Sequence, residues 1–143
     1  MELKRVVVTG LGAVTPIGND VPTFWNSLIQ GVSGAKPITR FDASKFKTQF
    51  ACEVKDFDPN QYFDRKDARK YDLFSMFGIV AAKEAVEDAG IDVEKVDLDQ
   101  IGVIFGTGIG GIKTFAEEVA GFVQNESIPR FNPFFIPICW AVF

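Results

Sequence analysis

The sequence predicts an α/β fold with a mostly parallel sheet flanked by helices. Two short, continuous apolar runs, at residues 5–9 and 101–105, each end in a glycine-rich loop, and each loop leads into a segment with helical apolar spacing. Runs of this kind read as strands buried on both faces, and their alternation with amphipathic helices is the pattern of a layered α/β protein.

The first strand, Arg5 to Thr9, carries consecutive β-branched residues and ends at Gly10-Leu11-Gly12, with Pro16 and Gly18 prolonging the loop. Asp20 or Asn19 can cap a helix that begins near Pro22, because proline suits a first turn and a short polar side chain accepts from its free amides. Phe24, Trp25, Leu28 and Ile29 then form one apolar stripe, which Gly31 and Gly34 end. Between Lys36 and Asn60 the sequence predicts irregular or short extended segments, with Phe41, Phe46, Phe50 and Phe57 anchoring a surface excursion to the body. A long helix is predicted from about Asp67 to Ala89, since Phe74, Phe77, Ala81 and Ala85 recur at spacings of three and four and Gly90 stands ready as a C-terminal cap. The second strand, Ile101 to Phe105, precedes Gly106-Thr107-Gly108-Ile109-Gly110-Gly111 and a helix through Val123.

Composition narrows the function classes. At 143 residues, 47% apolar and 24% charged, the chain has the makeup of one globular unit and not of a disordered one. A net charge of −4 leaves no broad basic face for tracking nucleic acid phosphates. There is no histidine, which excludes a histidine general base, a Cys-His pair and an imidazole metal site within these residues. Cys52 and Cys139 lie far apart in apolar surroundings and read as buried structural thiols, so no metal is expected. The apolar run at Val6-Val7-Val8 is too short for a signal-peptide core, nothing is long enough to span a bilayer, and the cytoplasm is the expected compartment.

Two features invite a functional reading. Gly106-Thr107-Gly108-Ile109-Gly110-Gly111 satisfies G-x-G-x-x-G between a strand and a helix, where backbone amides can cradle a pyrophosphate, as in a nucleotide-binding oxidoreductase. That fold next needs a strand ending in Asp or Glu about 20 residues on. The segment at that distance instead holds Pro129, Pro133 and Pro137, so close packing where a strand turns into a helix explains the glycines adequately. The second feature is Arg65, Lys66, Arg69 and Lys70, crowded into six residues of an acidic chain, with Lys66, Arg69 and Lys70 on one helical face. Cations near a helix N-terminus cost about 0.3–1 kcal/mol each, so helix stability does not select them. Either they meet an acidic protein or phosphate, or they form a solvated face partly neutralised by Asp64, Asp67 and Asp72.

Three segments together resemble the beta-ketoacyl-acyl carrier protein synthases of type II fatty-acid synthesis: Arg5 to Gly18, Arg65 to Asp72, and Gly106 to Gly111 with Asn132-Pro133-Phe134-Phe135-Ile136-Pro137 beyond. The resemblance implies a thiolase-like fold of two similar α/β halves, of which this chain supplies the first part of the N-terminal one, and a homodimer. In that family an acyl group passes from acyl carrier protein to a cysteine thiolate, and two histidines help decarboxylate malonyl-carrier protein before the carbanion attacks the thioester. Substrates ride on the phosphopantetheine of the carrier, and no other cofactor is implied. By the same resemblance Lys66, Arg69 and Lys70 dock the carrier protein, Ile109 lines and gates the acyl pocket, and Phe134 and Phe135 help close it near the dimer interface. Plain core packing is the alternative for these last three.

The resemblance covers residues 1–137, read as an incomplete N-terminal domain, and leaves 138–143 as a non-matching tail of the kind a premature end or shifted frame produces. The family's nucleophile sits among small and hydroxyl residues, whereas Cys139 lies in Ile138-Cys139-Trp140-Ala141-Val142. No catalytic residue is therefore assigned, and the chain alone is expected to be inactive. A noncatalytic module that only binds the carrier protein is the competing reading.

Overall fold

The computed structural model describes residues 4–126 and 128–140. It divides into two compact units, one formed by Met1–Phe57 and Val80–Gln100, the other by Asp58–Ile79 and Ile101–Phe143.

In the first unit, helix α1 spans Val21–Ile29 as its sequence dictates. Asp20 is the N-cap, its carboxylate accepting from the Thr23 amide at 2.7 Å and the Thr23 hydroxyl at 2.9 Å. Proline occupies the first turn, and Gly31, at φ 68°, follows the last. Strands β1 (Ala35–Pro37) and β2 (Phe50–Cys52) pair antiparallel, with Ala35 opposite Cys52 and Pro37 opposite Phe50. Beyond β1, Glu53 gathers the turn by accepting from the Thr39 hydroxyl at 2.6 Å and from the Thr39 and Arg40 amides. Hydrogen bonding from Thr39 holds the Glu53 carboxyl below its usual range. Phe41 and Phe46 meet edge to face at 5.7 Å but both stay exposed, as does Phe50. Phe41 and Phe46 therefore brace each other, and of the four expected anchors only Phe57 is half-buried.

The loop after residue 9 lies against helix α2, Leu73–Asp88. A Cβ built at Gly10 would collide with the Ala85 carbonyl and the Ala89 backbone, and one at Gly12 with the Ala81 carbonyl. Polar bonds hold the same seam. Glu84 accepts from the amides of Ala13 (2.8 Å) and Val21 (2.7 Å), and Asp88 accepts from that of Leu11 (2.9 Å). A single carboxylate thus ties both the glycine loop and the start of α1 to α2.

The second unit takes Leu73–Ile79 of α2, then α3 (Ile112–Gln124) and α4 (Phe135–Trp140). Met76, Ile138 and Cys139 are buried in it. A chain of near-parallel rings joins Phe122 to Phe131 (5.4 Å), Phe131 to Phe135 (5.6 Å) and Phe135 to Phe115 (5.9 Å). Stacks of this geometry add about 0.5–1.5 kcal/mol per pair beyond the area they bury.

Three sequence expectations need correction. Among the described residues the one sheet is the antiparallel pair β1–β2, and the runs at 5–9 and 101–105 form no strand. Their apolar side chains are marked for burial, yet Val6 is 89% and Ile104 100% exposed. A strand exists only against a neighbouring backbone, which sequence pattern cannot supply. The long helix starts at Leu73 and not at Asp67. Cys52 is exposed, and only Cys139 is the buried thiol expected.

Candidate functional site

The candidate docking residues precede α2 in a self-contained turn. Asp64 organises it, its carboxylate accepting from the amides of Lys66 (2.8 Å) and Asp67 (2.7 Å) and its carbonyl from that of Ala68 (2.9 Å). Lys66, Arg69 and Lys70 are all exposed, but they do not share the face of a long helix. The physical reason is the one that made the cluster notable: cations in the first turn of α2 would oppose the partial positive charge of its free amides, and starting the helix at Leu73 leaves them outside it. Lys70 is engaged by Asp67 at 2.6 Å, and this hydrogen bond and charge hold its ammonium above the usual lysine range. Among the described residues, Lys66 and Arg69 enter no ion pair within 4 Å. Among the described residues Arg65 likewise enters none, so two of the three candidate docking cations, Lys66 and Arg69, are unspent on the protein itself.

Just after the turn, Asp72 turns toward the glycine loop. The Thr114 hydroxyl, in the first turn of α3, donates to its carboxylate at 2.6 Å, and the same oxygen would lie 3.1 Å from a Cβ built at Gly111. The loop is clamped from its other side by α4. Gly111 N–H donates to the Cys139 carbonyl at 3.1 Å, the Cys139 thiol reaches the Gly111 carbonyl at 3.8 Å, and a Cβ at Gly110 would strike that same Cys139 carbonyl. Gly110 has φ 75°, which L side chains adopt at a cost. Its amide donates to the Thr107 hydroxyl at 3.1 Å. Two of the amides that a pyrophosphate would need are therefore spent inside the protein, and the close-packing account of the glycines is the one the geometry fits.

Ile109, at the crest of the loop, is 73% exposed. Phe134 is exposed too, its amide donating to Asn132 Oδ1 at 2.9 Å, while Phe135 is half-buried within the ring stack. The structure thus brings the loop that carries Ile109 against the helix that Phe135 opens, and separates two candidates on open surface from one committed to packing. Cys139 is the reverse of an activated nucleophile. Burial, followed by the charges of Asp72 and Glu118, pushes its thiol up, whereas a reactive thiolate needs positive surroundings. Sequence reading missed the pairing of Asp72 with Thr114, the double acceptor Glu84 and the ring stack. Only the phenylalanine spacing between 115 and 135 offered a signal for the last.

The sequence profile of the beta-ketoacyl synthase N-terminal domain matches residues 3–137. The chain belongs to that family. It is 46% identical over 141 residues to a 3-oxoacyl-[acyl-carrier-protein] synthase 2 from Synechocystis sp., covering 99% of this chain and 34% of the relative. A synthase of the same name from Coxiella burnetii is 47% identical over 137 residues, with 96% and 33% covered. The chain therefore spans about a third of the length of the curated relatives it matches. Among solved structures it superposes on a chain of a complex described as a type II PKS acyl-carrier protein with its ketosynthase bound to the hexaketide, at TM-score 0.75 and 31% identity, covering 96% of this chain and 36% of that one. The ishigamide ketosynthase/chain length factor gives 0.76 and 29%, with 94% and 34% covered. The fold of this beta-ketoacyl synthase chain is a partial α/β thiolase-like fold, as its resemblance implied. No helix among the described residues is long and apolar enough to cross a membrane.

Proposed function

We propose that residues 1–137 are the first part of the N-terminal domain of a condensing enzyme that joins an acyl group, held on its own cysteine, to malonyl-acyl carrier protein with loss of carbon dioxide, giving 3-oxoacyl-carrier protein. Residues 138–143 are a tail that departs from that domain, and 141–143 lie outside the described residues. In this reading the protein is a cytoplasmic homodimer whose substrates arrive on phosphopantetheine. The 143 residues hold the docking turn without the chemistry, for they contain no histidine, and their one buried cysteine is held as a thiol.

The observation that supports this most is the exposed turn with Lys66 and Arg69 unspent, just ahead of the Asp72 that is tied to the glycine loop. An acidic carrier docked there would lie at the start of a continuous path of contacts to Ile109, the proposed gate of the acyl pocket. Phe134 and Phe135 close that pocket in the same reading, Phe134 from open surface and Phe135 through the ring stack.

The test is a titration of holo-acyl carrier protein into the chain, followed by calorimetry at rising salt. Affinity should weaken as salt rises and fall about tenfold or more for Lys66→Glu and for Arg69→Glu. Binding indifferent to both reversals sinks the docking assignment. In parallel, the chain given acyl- and malonyl-carrier protein should form no 3-oxoacyl product. Carrier binding without turnover is also what a purely noncatalytic carrier-binding fragment would show, and activity in a longer product of the same gene separates the two.

A further inference from the structure

The connection between β1 and β2, residues 38–49, is a defined tip that presents aromatic rings to solvent. The Ile38 amide donates to the Gln49 carbonyl at 3.0 Å and closes the neck, and Gln49 Nε2 donates across the tip to the Ser44 and Phe46 carbonyls at 3.3 and 3.2 Å. Within it the Phe46 amide donates to the Ala43 carbonyl at 2.9 Å, and the Asp42 carboxylate accepts from the Ser44 amide at 3.0 Å. Ala43 is buried, while Phe41, Phe46 and the adjoining Phe50 are each more than half exposed. The tip is thus held in shape by its backbone and Gln49, with its largest apolar groups left in water.

Its charge runs against that of the chain. Lys45 and Lys47 flank Phe46 in the sequence, both are exposed, and among the described residues neither enters an ion pair within 4 Å. Arg40 adds little, since its charge acts on Glu53. Between residues 41 and 50 the one acid is Asp42, which is engaged in the turn, so the tip is cationic on a chain of net charge −4. A second copy of the chain would set these lysines against identical ones, which disfavours self-pairing at this face. An acidic protein would answer the lysines without calling for the rings. A bilayer with anionic headgroups answers both: rings lowered to the acyl boundary leave water, and the lysines beside them reach phosphate while their stems lie against apolar surface.

We propose that the tip carrying Phe41, Lys45, Phe46 and Lys47 is a peripheral membrane contact selective for anionic lipid headgroups. The test is flotation of the chain with vesicles of equal parts phosphatidylcholine and phosphatidylglycerol, and with vesicles of phosphatidylcholine alone; self-associated chain does not float. The chain should rise with the anionic vesicles, less so as salt increases, and remain below with the neutral ones. Lys45→Gln and Lys47→Gln should each lower the partition coefficient about fivefold, and Phe46→Ser about tenfold. Phe46→Tyr keeps the ring and should hold most of the binding, which separates loss of the apolar contact from loss of the turn. Lys95→Gln removes an exposed cation of the same unit outside the tip and should change nothing. No flotation, equal flotation with neutral vesicles, or an equal loss for Lys95→Gln overturns the proposal. Loss in both lysine variants with none in Phe46→Ser also overturns it, and assigns the tip to an acidic protein instead.

Discussion

The Thr114 hydroxyl donates to the Asp72 carboxylate at 2.6 Å, joining the segment that carries the basic turn to the first turn of α3 across 42 residues of sequence. Hydrogen bonds to charged, partly buried groups contribute about 1.5–3 kcal/mol. Thr114→Val keeps the shape and removes the donor, so the unfolding free energy should fall by that amount, seen as a lower denaturant midpoint at unchanged slope, whereas Thr114→Ser should cost less than about 1 kcal/mol. An unmoved midpoint for the valine variant would show that the bond does not support the unit.

Two glycines of the same unit should respond in opposite directions. Gly110 combines φ 75° with the Cys139 carbonyl where a Cβ would go, so Gly110→Ala should destabilise by about 1–3 kcal/mol or more. Gly121, inside α3 with nothing within 4 Å of its would-be Cβ, should gain about 0.5–1 kcal/mol as alanine. Thermal unfolding of the two variants beside the parent checks both. Equal shifts would mean that the loop clamp does not form.

Glu84 offers an oxygen to each of two amides, those of Ala13 and Val21. Glutamine at this position keeps the size but presents an NH₂ donor to one of them. Glu84→Gln should therefore cost about 1–3 kcal/mol and speed amide exchange at Ala13 or Val21, measurable by NMR. Unchanged exchange at both amides would remove Glu84 from the seam.

The two cysteines should part company toward alkylating agents. Cys52 is exposed, while Cys139 is buried with its thiol held up by burial and by Asp72 and Glu118. Iodoacetamide at mildly alkaline pH should label Cys52 first, and Cys139 only as the chain unfolds, as read by peptide mass spectrometry. A thiol whose folded value lies above its unfolded one favours the fold at every pH below the unfolded value, near 9, and that contribution is lost as pH rises toward the folded one. Labelling of Cys139 as fast as Cys52 in folded protein would contradict the burial.

The features legible in the sequence were those that neighbouring residues decide. The start of α1 was legible because Asp20, Pro22 and Thr23 act within one turn, and the end of α2 because Gly90 alone can take φ 63° cheaply there. The family could be read for a related reason, since its motifs are local and lie in the right order. The start of α2 was misplaced because apolar spacing continues past the point where Asp64 folds its own turn and the cations withdraw from the helix end. In the candidate site, the glycine loop and the basic cluster were visible as segments, but the Asp72–Thr114 bond between them was not. No periodicity announces a bond between residues 42 positions apart.

The seam between the 10–12 loop and α2 has a consequence for how this chain can vary. Gly10 and Gly12 lie directly on the backbone of Ala81 and Ala85 in α2 and of Ala89 just past its end, where the Ala89 Cβ is the one side-chain atom among these contacts. Exchange of bulk, a larger residue on one side offset by a smaller one opposite, is the ordinary way that packed positions drift together. Here it is closed, because glycine has no atom left to surrender. The two glycines are therefore fixed by the distance between two backbones, independent of any chemistry the protein performs.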